Sequence, residues 1–199
     1  MRGSERRDEV PHAPDAPPAE PGFAGREPKA VGRVRLYAWQ GPDLFELAFV
    51  ELGHDRLTAR GTQLSSSYRL TYVVETSASF VSELLRAEVE TVHGIGTLDL
   101  RRGTKPLRDD VLDLDLQASP LFNSLPVLRD RLHEGGGDAR EYTMAFVHVP
   151  ELSVERSAQR YVPLGRGQVR FRSGAFTADL EFDRDGFVTR YPGLADRVH

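Results

Sequence analysis

Two aspartates set one residue apart, Asp113 and Asp115, are the strongest pointer to chemistry in this 199-residue chain. They stand in Leu112-Asp113-Leu114-Asp115-Leu116, and successive side chains of a strand point to opposite faces. The leucines then pack on one side, and the two carboxylates share the other with Cα atoms roughly 7 Å apart. Like charges that close are expected to face water, a cation or a hydroxyl-rich ligand. A solvated outer face accounts for the pattern. So does a pair that touches a sugar or a metal, because carboxylates are strong acceptors for hydroxyl groups. Downstream, Ser119-Pro120 and Leu125-Pro126 bracket Asn123, the chain's only asparagine. The segment reads as a turn in which Asn123 either bonds its own backbone or offers a donor and an acceptor to a ligand.

Other routes to chemistry are closed or weak. There is no cysteine, which excludes disulfides, zinc thiolates and thiol nucleophiles and fits a reducing compartment. No Gly-x-Ser-x-Gly, His-Glu-x-x-His or phosphate-cradling glycine loop occurs, and Gly94-Ile95-Gly96 reads as a turn. His12, His54, His93, His133, His148 and His199 show no metal-ligand spacing. Neither a metal nor a cofactor is expected. A net charge of −4 with both signs scattered along the chain leaves no electrostatic footprint for nucleic acid. No run approaches the roughly 18 apolar residues of a membrane span, and no apolar stretch follows Arg6-Arg7 as a secretory signal requires. The expectation is a cytoplasmic protein.

The elements that must position these residues are mostly strands. Six of the 13 prolines fall in residues 1–30, where only Met1, Val10 and Phe23 are large and apolar. Such a segment cannot offset the entropy of ordering itself, so residues 1–30 read as a disordered tail and residues 31–199 as one β domain. Period-two alternation is clearest in Tyr68–Val74 and Phe176–Asp183, where charged and apolar residues separate cleanly. Further strands are expected at Val34–Trp39, Phe45–Leu52, Leu57–Leu64, Phe80–Val92, Thr97–Leu100, Val111–Gln117, Tyr142–Val149, Ser153–Tyr161, Val169–Arg172 and Phe187–Arg190. Phe80–Val92 carries good helix formers and still reads better as strand. Leu125–Leu132 reads either as two helical turns, with Pro126 at the first position, or as extended chain. Asp183-Arg184-Asp185-Gly186 reads as a hairpin and Tyr191-Pro192-Gly193 as a type II turn. The echo between Tyr68–Glu75 and Tyr142–Val149, each followed by further strands, raises the option of a duplicated β unit.

Several of these blocks also form a recognisable series. The run Asp113-Leu114-Asp115-Leu116, then Ser119-Pro120-Leu121-Phe122-Asn123-Ser124-Leu125-Pro126, resembles the acidic strand and Pro-Phe-Thr-Asn-Thr-Leu-Pro segment of the bacterial "Putative glycolipid-binding" family. Val149-Pro150-Glu151-Leu152 and Gln159-Arg160-Tyr161 are similar to its Pro-x-Leu and Gln-x-Tyr elements. Asp183-Arg184-Asp185-Gly186-Phe187-Val188 and Tyr191-Pro192-Gly193-Leu194 are similar to its closing signature, and Trp39 and Phe45-Glu46 sit where the family begins. A Gly-x-Trp element found in the family is missing from Arg101–Asp110.

The resemblance implies an all-β fold with little helix: a curled antiparallel sheet, an open or half barrel like lipoprotein-carrier folds. It also implies a glycolipid or similar amphiphile held in the concave face. Asp113, Asp115, Asn123, Tyr161 and Tyr191 are the candidate ligand-binding residues; no catalytic residue comes with the family. Aromatic faces such as Tyr68/Tyr72 and Phe176/Phe182 would line the apolar part. Two alternatives stand beside this binder. One is a hydrolase or isomerase on a sugar-containing substrate, since the expected Asp113–Asp115 separation suits inverting glycosidases, at roughly 6.5–9.5 Å. The other is a structural or partner-binding protein that uses the proline-rich tail as a tether.

Overall fold

The computed structural model describes residues 33–108 and 110–199; the expected tail at residues 1–30 lies outside them. Thirteen strands form one sheet: β1 (Val34–Gln40), β2 (Phe45–Leu52), β3 (Leu57–Leu64), β4 (Arg69–Thr76), β5 (Ser82–Thr91), β6 (Gly94–Arg101), β7 (Asp113–Leu116), β8 (Arg140–Val147), β9 (Val154–Gly165), β10 (Gln168–Ser173), β11 (Phe176–Phe182), β12 (Val188–Tyr191) and β13 (Ala195–Arg197). Among the described residues one α-helix, α1 (Pro120–Asp130), lies between β7 and β8, and single 3-10 turns stand at Ala78–Phe80 and Leu132–Glu134.

The strand order is β6-β5-β4-β3-β2-β1-β13-β12-β11-β10-β9-β8-β7. Two antiparallel meanders, β1–β6 and β8–β13, therefore meet along one central seam, where Trp39 faces Arg197 and Gln40 faces Asp196. The seam continues past the ladder, because Ala38 exchanges backbone bonds with Val198 and His199. β7 is the exception to antiparallel pairing. It runs parallel to β8, with Asp113 opposite Met144 and Asp115 opposite Phe146. A parallel neighbour needs a crossover, and α1 supplies it.

The sheet curls without closing into a barrel. The start of β5, one strand in from the β6 edge, nevertheless approaches β7 at the other edge: the Ser82 amide donates to the Leu112 carbonyl at 2.9 Å, and the Leu114 amide donates to Ser82 Oγ at 3.2 Å. Arg102 locks this approach, donating to the carbonyls of Ser82, Arg108, Val111 and Leu112.

The alternation read from the sequence holds in most strands. Leu70, Tyr72 and Val74 are buried together on β4, and Ala178, Leu180 and Phe182 on β11. Phe80–Val92 resolves into a 3-10 turn and strand β5, because pairing with both β4 and β6 outweighs helix propensity. The two turns are present: Gly186 has φ 85° and Gly193 φ 79°, and Asp183 Oδ1 accepts from the amides of Asp185 and Phe187.

Four expectations need correcting. The segment from Pro120 is helix rather than turn, with Pro120 in the first turn and Pro126 inside it. Proline is harmless at the start, where its missing N–H has no partner anyway, and burial of every residue from Pro120 to Leu128 stabilises the rest. The candidate helix at Leu125–Leu132 is thus the second half of a longer one. Gly94-Ile95-Gly96 belongs to β6 rather than to a turn. The fourth is the outer face expected for Asp113 and Asp115. The strand exists and its faces alternate, but all four residues of β7 are buried. Leu114 and Leu116 join the larger apolar cluster, and the aspartates turn toward the β8–β13 half, where α1 and β9 cover them.

Candidate functional site

Asp115 Oδ2 accepts a hydrogen bond from Gln159 Nε2 of β9 at 2.5 Å. The Tyr161 hydroxyl donates to Gln159 Oε1 at 3.3 Å, and Asn123 Nδ2 of α1 donates to that hydroxyl oxygen at 2.9 Å. Four buried polar residues from three elements thus form one chain. Period two places Gln159 and Tyr161 on the same face of β9, and the first turn of α1 lowers Asn123 onto it. Burial raises the Asp115 carboxyl to about 6, with the Gln159 bond opposing and the charge of Asp113 adding. Burial likewise raises the Tyr161 phenol well above its ordinary value, and the Asp115 charge adds to it.

A cavity of about 430 Å³ opens over this chain. Asp115, Gln117, Ser119, Asn123 and Ser173 are its polar lining residues, and Phe146, Phe171, Phe176, Tyr191, Pro192 and Leu194 its apolar ones. The Phe171, Phe176 and Tyr191 rings stand at the corners of a triangle with sides of 6.1, 6.3 and 6.3 Å. Phe176 is 49% exposed and forms the rim. Tyr191 is buried, and its phenol is pushed up by burial and by Asp115.

Of the five residues singled out from the sequence, Asp115, Asn123 and Tyr191 line this cavity. Tyr161 stands behind Asn123, fully buried. Asp113 is elsewhere: Arg129 of α1 grips it with two bonds of 2.5 and 2.7 Å. Arg129 also lies 5.0 Å over the Tyr142 ring. Burial raises the Asp113 carboxyl, and Arg129 opposes the rise. The two aspartates therefore serve different partners and do not form an acid pair in one cavity. Among the aromatic residues considered as lining, Phe176 reaches the cavity, whereas Phe182 sits in the core and Tyr72 turns to another acid.

That acid is Glu46 of β2, fully buried. Its Oε1 accepts from the Tyr72 hydroxyl at 2.5 Å and from Ser119 Oγ at 2.7 Å, while Oε2 has no hydrogen-bond partner. Burial raises it to about 7 against the bonds from Tyr72 and Ser119. Gly61 makes the arrangement feasible: it lies between Ala48 and Tyr72 in the sheet, and a Cβ there would fall 2.2 Å from Tyr72 Cζ. Sequence alone cannot place Glu46 indoors. In Phe45-Glu46-Leu47-Ala48-Phe49-Val50 both faces carry apolar residues, and the face with the phenylalanines is the half-open one.

Among the described residues no group of acids and histidines is placed to hold a metal ion, and no helix is long and apolar enough to cross a membrane.

An open, curled antiparallel sheet with one helix beneath it, and a cavity lined by both polar and aromatic residues, define the class. The chain belongs to the family described as "Putative glycolipid-binding", whose model matches residues 37–197. A crystal structure of a DUF1089 family protein from Pseudomonas aeruginosa is similar to it, with 25% identity and a TM-score of 0.66, over 82% of this chain and 100% of that one. A search of curated proteins finds no match.

Proposed function

We propose that this protein binds an amphiphile, a sugar-bearing lipid being the ligand class, in the cavity of the β8–β13 half. The observation that carries the reading is the cavity's mixed lining. The Asp115 carboxylate, the Asn123 amide and the Ser119 hydroxyl open onto it, a set of acceptors and donors suited to hydroxyl groups. Phe146, Phe171, Tyr191 and the exposed Phe176 supply apolar surface beside them. A volume of about 430 Å³ falls in the range of roughly 300–1,000 Å³ typical of small-molecule sites. It suits a head group and the first part of a chain, with the remainder leaving past Phe176. The family's name points to the same ligand class.

Native mass spectrometry after incubation with a bacterial glycolipid extract tests the proposal. The wild type is expected to carry a lipid adduct, and Ser173→Trp, which fills the cavity from β10, is expected to lose it. No adduct on gently purified wild type, and no uptake from the extract, overturns the reading.

A further inference from the structure

Asp115 is a buried carboxylate with no countercharge. Its protein partner is the neutral Gln159 amide, and the nearby guanidinium of Arg129 is already bound to both oxygens of Asp113. No arginine, lysine or histidine is among the residues lining the cavity. The groups facing Asp115 are Asp113 on β7, Gln159 and Tyr161 on β9 and Tyr191 on β12; none of them brings a positive charge. The first turn of α1, whose Asn123 lines the cavity, adds partial positive potential. A helix terminus supplies roughly half a charge, against a full negative charge on the aspartate.

A buried charge left without a partner is costly, so the arrangement is completed by a cation arriving with the ligand. We infer that the ligand's head carries a protonated amine, as an amino sugar does, and that Asp115 is its counter-ion. This rests on the amphiphile reading above and sharpens it to a ligand charge.

Three matched probes, used below the concentration at which they form micelles, separate the outcomes at pH 7: octyl β-glucoside, octyl 2-amino-2-deoxy-β-glucoside and octyl phosphate. Titration calorimetry is expected to show the amino glucoside binding about tenfold or more tighter than the glucoside, the size of a charge-assisted hydrogen bond, and the phosphate weakest. In Asp115→Asn the ratio between amino glucoside and glucoside is expected to fall to about one. In the wild type alone, independent of any variant's folding, the preference should fade as pH drops toward 5 and Asp115 is protonated. A glucoside that binds as well as its amino analogue overturns the charge assignment and leaves the amphiphile reading standing. Tightest binding of the phosphate also overturns it and points to the helix terminus. If none of the three binds, both readings fall together.

Discussion

Beneath β1–β6, Leu121, Phe122, Leu125 and Leu128 of α1 fill the space against Val50, Leu57, Leu70, Leu85 and their neighbours. Beneath β8–β13 the same helix offers Asn123 and Val127, and part of the space stays open as the cavity. Each half holds a buried acid raised toward neutrality by its surroundings. In the first half, Glu46 is sealed by Tyr72 and Ser119; in the second, Asp115 is held from behind by Gln159 and faces the cavity. Two meanders of similar construction thus differ in what one short helix puts under them. Packing, more than sheet topology, decides which half keeps an open cavity.

The comparison can be broken hardest at the helix. Arg129→Ala leaves Asp113, 1% exposed, as an unpaired buried charge, a change that typically costs about 3–5 kcal/mol. Urea unfolding should show that loss, and Asp113→Leu/Arg129→Met should recover most of it. A single variant as stable as wild type would mean that the pair does not fasten α1 to β7.

The next effect separates the two acids. Both folded-state values lie above their ordinary ones, about 7 for Glu46 against 4.5 and about 6 for Asp115 against 3.8. Folding therefore favours the protonated forms. Their stabilising contribution is complete below the ordinary values and is lost as pH rises through about 6 and 7. A tenfold weakening of an acid is worth about 1.4 kcal/mol, so each carboxyl costs on the order of 3 kcal/mol at pH 8. Glu46→Gln and Asp115→Asn should each flatten the fall in stability between pH 4 and 8, measured by denaturant titration at several pH values. Saturating cationic ligand should flatten it further only where Asp115 is intact. Unchanged slopes in both variants would contradict the burial argument.

The smallest effect tests how the sealed half is sealed. Gly61→Ala should displace Tyr72 from Glu46 and cost about 1–3 kcal/mol, as overpacked cores do. In that background Tyr72→Phe should cost little more, because the bond it removes is already broken. Full additivity of the two changes in unfolding free energy would show that Tyr72 reaches Glu46 without help from Gly61.

How much of this the sequence discloses depends on whether a signal is local. Alternation is local, so β2, β3, β10 and β11 can be read within a residue or so. β13 is invisible because three residues, Ala195–Arg197, cannot display a period, and they become a strand only by pairing with β1 and β12. α1 reads as a turn because Pro120, Asn123, Ser124 and Pro126 are poor helix formers, and burial on all sides settles their conformation. Three of the five candidate residues meet at the cavity through the Asp-Leu-Asp-Leu, Asn and Tyr-Pro-Gly blocks. That the aspartates face inward is not legible, since alternation separates two faces without saying which is wet. The aspartate face is covered by α1 through Arg129 and by β9 through Gln159, contacts distant in sequence.

The seam between β1 and β13 has a consequence for synthesis on the ribosome. Trp39 meets its partner Arg197 only after nearly the whole intervening chain has been made; at roughly 5–20 residues per second that is a wait of about 8–30 s. Throughout that interval one flank of β1 offers unpaired amides and carbonyls, the kind of template on which nascent chains stick to one another. That flank of β1 stays open until Ala195–Arg197 have been made and can pair with it.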